Sequence, residues 1–467
     1  MSSIIKVDTI QDQAGNNIIS ESSDTITIGA SGDTVNVVGT LQNNGGSLAG
    51  VTFKEGGTNF TNSLLVGTSG TGTLDSADGN TGVGTSVLAA LTSGDNNVAV
   101  GLCALKANTT GTFNTASGAF SLDANTTGGC NAGFGFNALG GTTTGGLNTS
   151  IGANSMRCNT TGANNTGLGA CALFCNTTGE ENTAVGFCSL KANTTGASNT
   201  AVGCGSLDAN TTAAQNSAFG YETLGANTTG TRNVAIGSSA LTTNTTADCN
   251  VAVGVCALKV NTTGEENTAV GSASMITNTT GSANVGLGFC AMKFNTTGAT
   301  NVAIGNAALC KNTTASNNVA VGSLALRNNT TGAENTSVGS ASMTTNTTGA
   351  QNTAVGVCAL NANTTGADNV AVGRKALDAN TEGLENTALG NGALRDNTTG
   401  DYNTALGKDA LLANTTAISN TSVGYFSLVA STTGACNVAM GVQAGDSVTS
   451  GICNVGVGAF SMCAVTT

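Results

Sequence analysis

The chain has 467 residues and a net charge of −12, with 9% charged and 3% aromatic residues, 67 Gly, and no Pro, Trp or His. Without His the commonest general base and metal ligand is missing, and the 14 Lys and Arg form no basic run that would mark a nucleic-acid footprint. No apolar stretch is long enough to span a bilayer, so neither a nucleic-acid partner nor membrane insertion is expected.

The first residues, Met1-Ser-Ser-Ile-Ile-Lys-Val-Asp8, contain no apolar core of the kind a signal peptide carries, which leaves export by the general secretory route unsupported. Residues 1–61 alternate polar and β-branched residues in short runs such as Asp24-Thr-Ile-Thr-Ile-Gly29 and Asp33-Thr-Val-Asn-Val-Val-Gly39, separated by Gly, Asn and Ser. They predict a small β-rich module for attachment or joining. Residues 62–79, opening Asn62-Ser-Leu-Leu-Val-Gly67, read as an irregular first coil, because Asn62 stands one place too far ahead of Asn80 for the register that follows.

From position 80 to position 467 the chain is a 17-residue repeat without insertion. Numbered from the first residue of each copy, position one is Asn in all 23 copies (Asn80, Asn97, Asn182), position five is Gly (Gly84, Gly101, Gly186) and position thirteen is Thr (Thr109, Thr194). Position nine is Leu or Met in 22 (Leu105, Leu190), broken only by Gly445, and position twelve is Asn in 18 (Asn108, Asn193, Asn346). A unit this short, with one or two Gly and several Asn and Thr, opposes helix formation. Its second and fourth positions are β-branched or apolar around a small third residue, which predicts a short strand. The expected fold is all-β: a parallel β-solenoid of about 23 coils, one per 17-residue repeat, stacked ~4.8 Å apart. The Leu, one Val-like strand residue and an Ala are the expected core of each coil. Asn at positions one and twelve should stack into amide ladders, and small residues at five and fifteen should occupy corners.

The run Asn182-Thr-Ala-Val-Gly-Phe-Cys-Ser-Leu-Lys-Ala-Asn-Thr-Thr-Gly196 resembles the repeats of marine phage tail-fibre and related virion proteins. More loosely, it is similar to the coils of trimeric autotransporter adhesin heads, which are shorter. The likeness covers about 390 of the 467 residues. The opening Ile4-Ile-Lys-Val-Asp-Thr-Ile-Gln11 also resembles the N-termini of cyanophage and pelagic phage fibre proteins, where that end attaches the fibre to the particle. The resemblance implies a structural fibre on a virion surface or outside a cell, assembled from copies of itself as a trimer, with other virion proteins and host-surface glycans as further partners. The last repeat, reaching Thr467 without a change of composition that would signal a cap, leaves strand edges that predict stacking at the ends into a head-to-tail filament.

No nucleophile–base pair or ligand cluster emerges, so no catalytic, cofactor or metal site is expected. Three other groups of residues are candidates. Asn-Thr-Thr recurs in 17 copies, for example at Asn108, Asn193 and Asn346, and matches the N-glycosylation pattern that a cell-made extracellular filament or adhesin would use; the competing reading makes these Asn ladder residues. Cys recurs at matching positions of successive coils at Cys158/Cys175, Cys171/Cys188 and Cys436/Cys453, where a spacing of ~4.8 Å suits either a disulfide or two free thiols. Aromatic residues at position six (Phe136, Phe187, Tyr221, Phe289, Tyr425) are placed to form a lateral contact between chains or a carbohydrate-stacking stripe.

Overall fold

A computed structural model of the chain describes residues 60–67, 72–463 and 466 in full, and before them the backbone of five strands. Three of these, β1 (Thr9–Gln11), β2 (Asn17–Ser22) and β3 (Thr25–Ile28), form an antiparallel sheet in the order β1-β2-β3. β3 corresponds to the first of the two alternating runs. The second, at residues 33–39, lies outside the described residues, as do residues 4–8 of the opening segment. β4 (Ser47–Leu48) pairs antiparallel with β5 (Val51–Glu55).

From β6 (Leu64–Val66) to β29 (Val455–Val457) the structure is one parallel β-solenoid with a 17-residue coil. It contains 24 three-residue strands, each paired with the next in an unchanged register: Leu64 with Thr81, Val98 with Thr115, and so on to Val438 with Val455. There is no bulge between any two of them. At the starting edge β5 lies antiparallel to β6, with Phe53 opposite Val66, and so covers a row of backbone groups that would otherwise be free.

The strand faces are inverted relative to the expectation from hydrophobicity. From β7 to β29 a small middle residue, Gly, Ala or Ser, points inward while its two neighbours point outward: Ala99 is fully buried between Val98 and Val100, which are 40% and 42% exposed, and only in β6 is the inward residue large, Leu65. The reason is the narrowness of the coil. A Cβ added to Gly167, a middle residue, would already lie 2.7 Å from Ser155 Oγ and 3.0 Å from Met156 Cε. Other coils accept an Ala methyl at this position, as at Ala184 and Ala201, but the branched side chain of Val would press further into the same neighbours. The core therefore consists of the middle strand residue, the Ala or Ser at position eight and the Leu or Met at position nine, represented by Ala184, Ser189 and Leu190, all fully buried.

Leu at position nine reaches the core from a backbone that bulky residues seldom adopt. Leu105 and Leu190 have φ of 50° and 49°, in the left-handed region, and the one Gly in this column, Gly445, has φ 64°. The residue two places earlier is left-handed as well, as at Cys103 (φ 57°) and Cys188 (φ 56°). Such conformations are costly singly and persist where the surroundings over-determine them; here the next coil does so, since Leu190 N donates to Ser206 O at 2.9 Å.

Candidate functional site

Position five combines two constraints that only Gly meets. Gly84, Gly101 and Gly186 have φ of 139°, 130° and 133°, and a Cβ on Gly84 or Gly186 would come within 2.6 Å of the next coil's Gly carbonyl oxygen. The chain turns sharply here, at the end of the strand, and successive turns lie in backbone contact.

The two Asn columns lie inside the coil rather than at its surface. Asn97 donates its backbone N–H and its Nδ2 to Asn80 Oδ1, both at 3.0 Å, and a second Nδ2 hydrogen to Gly111 O across the coil at 2.9 Å. Asn182 repeats this with Asn165 and Gly196. At the start of the column Ser63 Oγ substitutes, accepting from Asn80 N at 2.8 Å. The position-twelve column runs beside it: Asn193 Nδ2 donates to Asn176 Oδ1 at 2.8 Å and to Gly196 O at 2.9 Å. One carbonyl at position fifteen thus receives two side-chain amides. The burial of these amides is compensated by partners in the neighbouring coils and across the coil, except at Asn125 Oδ1 and Asn414 Oδ1, which accept no hydrogen bond.

This geometry bears directly on glycosylation. Asn108, Asn193 and Asn346 are fully buried, and Asn346 Nδ2 is committed to Asn329 Oδ1 at 2.8 Å and Gly349 O at 2.9 Å. A glycan on that nitrogen would have no room in a closed coil, so the Asn-Thr-Thr triplets serve as ladder residues in the folded chain. Their Thr at position thirteen is likewise engaged: Thr109 Oγ1 donates to Thr126 O at 3.0 Å, and Thr194 Oγ1 to Thr211 O at 3.0 Å. The backbone N–H groups of Thr109, Thr110 and Gly111 converge on that same Thr126 carbonyl.

All fifteen cysteines are free thiols, so none of the three suggested bridges is present. Cys171 and Cys188 occupy position seven of successive coils; burial, with a contribution from the Cys171 sulfur, pushes the Cys188 thiol above its ordinary range. Burial does the same to Cys175 beside Cys158. Cys436 and Cys453 are exposed.

The position-six aromatics are exposed, from 45% at Tyr425 to 59% at Phe187, but they do not form a stripe. Along the rod, Phe136, Phe187, Tyr221, Phe289 and Tyr425 are spaced three, two, four and eight coils apart. Tyr425 is already engaged, in edge contact with Phe426 at 4.3 Å between centroids and with Lys408 Nζ 5.3 Å from its ring centre.

The continuous feature is the outer face of the strand. Position four is apolar in 22 of 23 copies, Ser117 being the exception, and its side chains stand in one column from Val83 through Ile151, Ile236 and Ile304 to Val457. Position two adds a parallel column of Thr and Val, with single Ala and Ser members. No Asp, Glu, Lys or Arg occurs at either position in any copy.

No protein-family model and no curated protein matches this chain.

That leaves the geometry itself as the guide. Among the described residues no three Cys, Asp or Glu stand together as a group able to hold a metal ion. Sequence reasoning found the ladder positions and the Gly turn. It missed the exposed strand face, because it placed a Val-like residue in the core. It also missed the left-handed backbone at positions seven and nine, although Gly and Asn at position seven (Gly205, Gly392, Asn137, Asn154) and Gly445 at position nine were the readable signs.

Proposed function

We propose that this chain is a structural shaft: a rigid fibre or filament protein without enzymatic activity, acting as a spacer on a virion surface or in an extracellular filament, in surface attachment. The observation that carries the reading is the unbroken strand register from β6 to β29, accompanied along most of the rod by the same side-chain hydrogen bonds between neighbouring coils. At ~4.8 Å per strand the 24 strands extend for ~110 Å. Nearest-neighbour stacking of this kind resists bending because every coil is tied to the next on several sides.

The virion setting is supported by the resemblance of Asn182–Gly196 to phage fibre repeats. Within the virion reading, the N-terminal β-module joins the shaft to a particle or to the next subunit. The glycosylated-filament alternative loses support from the burial of Asn108, Asn193 and Asn346. Electron microscopy of the purified protein tests the shaft: straight rods with a length of ~110 Å, set by the strand spacing, are expected, and compact or flexible particles would refute it. Co-purification with tail or capsid proteins tests the setting, and its consistent absence from purified particles would remove the virion assignment.

A further inference from the structure

The outward strand face is an open side of a parallel sheet, a kind of sheet that folded proteins normally cover on both faces. Three residues at ~3.3 Å, across 24 strands at ~4.8 Å, give this face an area of ~1,100 Å². That exceeds the ~800 Å² per partner of a standard stable interface, and its position-four column is apolar in every copy but that of Ser117. Ile236, Val270 and Ile304, on alternate coils, are 42%, 38% and 38% exposed.

We propose that this face packs against the same face of a second copy of the chain, forming a two-sheet seam along the rod. This deepens the shaft reading by naming its partner and the surface used. Three observations select a second copy as the occupant. First, the area suffices for a stable pair. Second, the chain carries a net charge of −12, yet every one of its repeat charges lies off positions two and four, so this is the side on which two like-charged rods approach with least repulsion. Third, the side-chain columns repeat with the coil spacing, and a second copy has the same spacing. Apolar side chains can therefore interdigitate in step along the whole length, as between paired sheets with identical repeats, whereas a partner with another spacing fits only locally. Because the same face is used on both chains, the contact closes on itself and yields a dimer.

The test uses the full chain and two triple variants. Ile236→Lys with Val270→Lys and Ile304→Lys charges the outward strand face. Thr229→Lys with Thr263→Lys and Thr297→Lys puts the same charge on exposed position-fourteen residues of neighbouring coils. Circular dichroism establishes that each is folded, and light scattering with sedimentation gives the mass. The proposal predicts a wild-type particle of twice the 45.2 kDa chain mass. The Thr variant should retain it, whereas burying unpaired charge in the seam should weaken association ~100-fold or more in the strand-face variant. A monomeric wild type, any other stoichiometry, or a dimer that the strand-face variant leaves intact overturns it. Monomeric rods in the microscope would remove the seam while leaving the shaft reading in place, and absence of rods would remove the shaft.

Discussion

Asn125 Oδ1 is buried and accepts no hydrogen bond, and the residue one coil further on in its column is Thr142 rather than Asn. In the preceding coil the corresponding bond is made, with Asn125 Nδ2 donating to Asn108 Oδ1 at 2.8 Å. Thr142 has no amide to offer and interrupts the column. On its other side Asn159 Nδ2 makes only a long 3.4 Å contact with Thr142 Oγ1. Thr142→Asn should close the ladder from Asn108 to Asn414. A buried acceptor that regains its donor is worth ~1 kcal/mol, and chemical denaturation should show that gain. Ser431→Asn should not match it, because the next residue in the column is Val448, so the unpaired oxygen would simply move.

The two Gly columns differ in what they require. Gly186→Ala combines a φ of 133° with a Cβ 2.6 Å from Gly203 O, and should cost ~2–4 kcal/mol or open the solenoid at that coil. Gly179→Ala at position fifteen should be milder: a Cβ there would lie 2.4 Å from Gly196 O, but its φ is not positive, and Ala213, Ala247, Ala315 and Ala417 already occupy that position. Hydrogen exchange mapped along the chain distinguishes a local opening from global loss, and equal effects at the two sites would contradict this account.

The inverted strand makes an unusual pair of predictions. Ala252→Val enlarges a fully buried residue and should destabilise by ~1–3 kcal/mol, while Val253→Ala, on the neighbouring outward residue, should cost the single rod far less. Measuring both by denaturation in the charged strand-face variant removes any contribution from pairing of chains. The opposite order would restore the expectation that Val fills the core.

Two pH dependences follow from burial. The raised Cys188 thiol should react with iodoacetamide more slowly than a free cysteine reference at neutral pH, and the gap should narrow as pH rises through the thiol range; a rate equal to the reference would show that the sulfur is not shielded. Asp208 has its carboxyl raised chiefly by burial, so the folded state holds its proton more tightly than the unfolded chain. Its charged form therefore costs stability above the folded value, and the cost disappears as pH falls below the unfolded one. Asp208→Asn should stabilise slightly at neutral pH, by no more than ~0.5 kcal/mol, and the gain should vanish in acid.

Much of this fold was legible because the repeat is written in residues with narrow conformational roles. Gly at position five, Asn at positions one and twelve and Leu at position nine each recur where a turn, a ladder or a core demands them. Strand orientation was not legible, because alternation alone specifies two faces without saying which is inside. Only the cross-section of the coil decides that, and its interior is already occupied by two amide columns and a Leu. The candidate surface was hidden for the same reason, since a column of Val, Ile and Leu reads as core until the structure places the small middle residue there. The burial of Asn193 is equally invisible in its triplet, which matches a glycan acceptor pattern and an internal ladder alike.

The central claim is that one sequence repeat makes one circuit and that successive circuits stack as parallel strands. Fibre diffraction from oriented rods measures this most directly. The account predicts a strong axial reflection near ~4.8 Å from rods ~110 Å long, with one 17-residue repeat per strand spacing. An axial repeat of another length, or strands running along the rod, would contradict it.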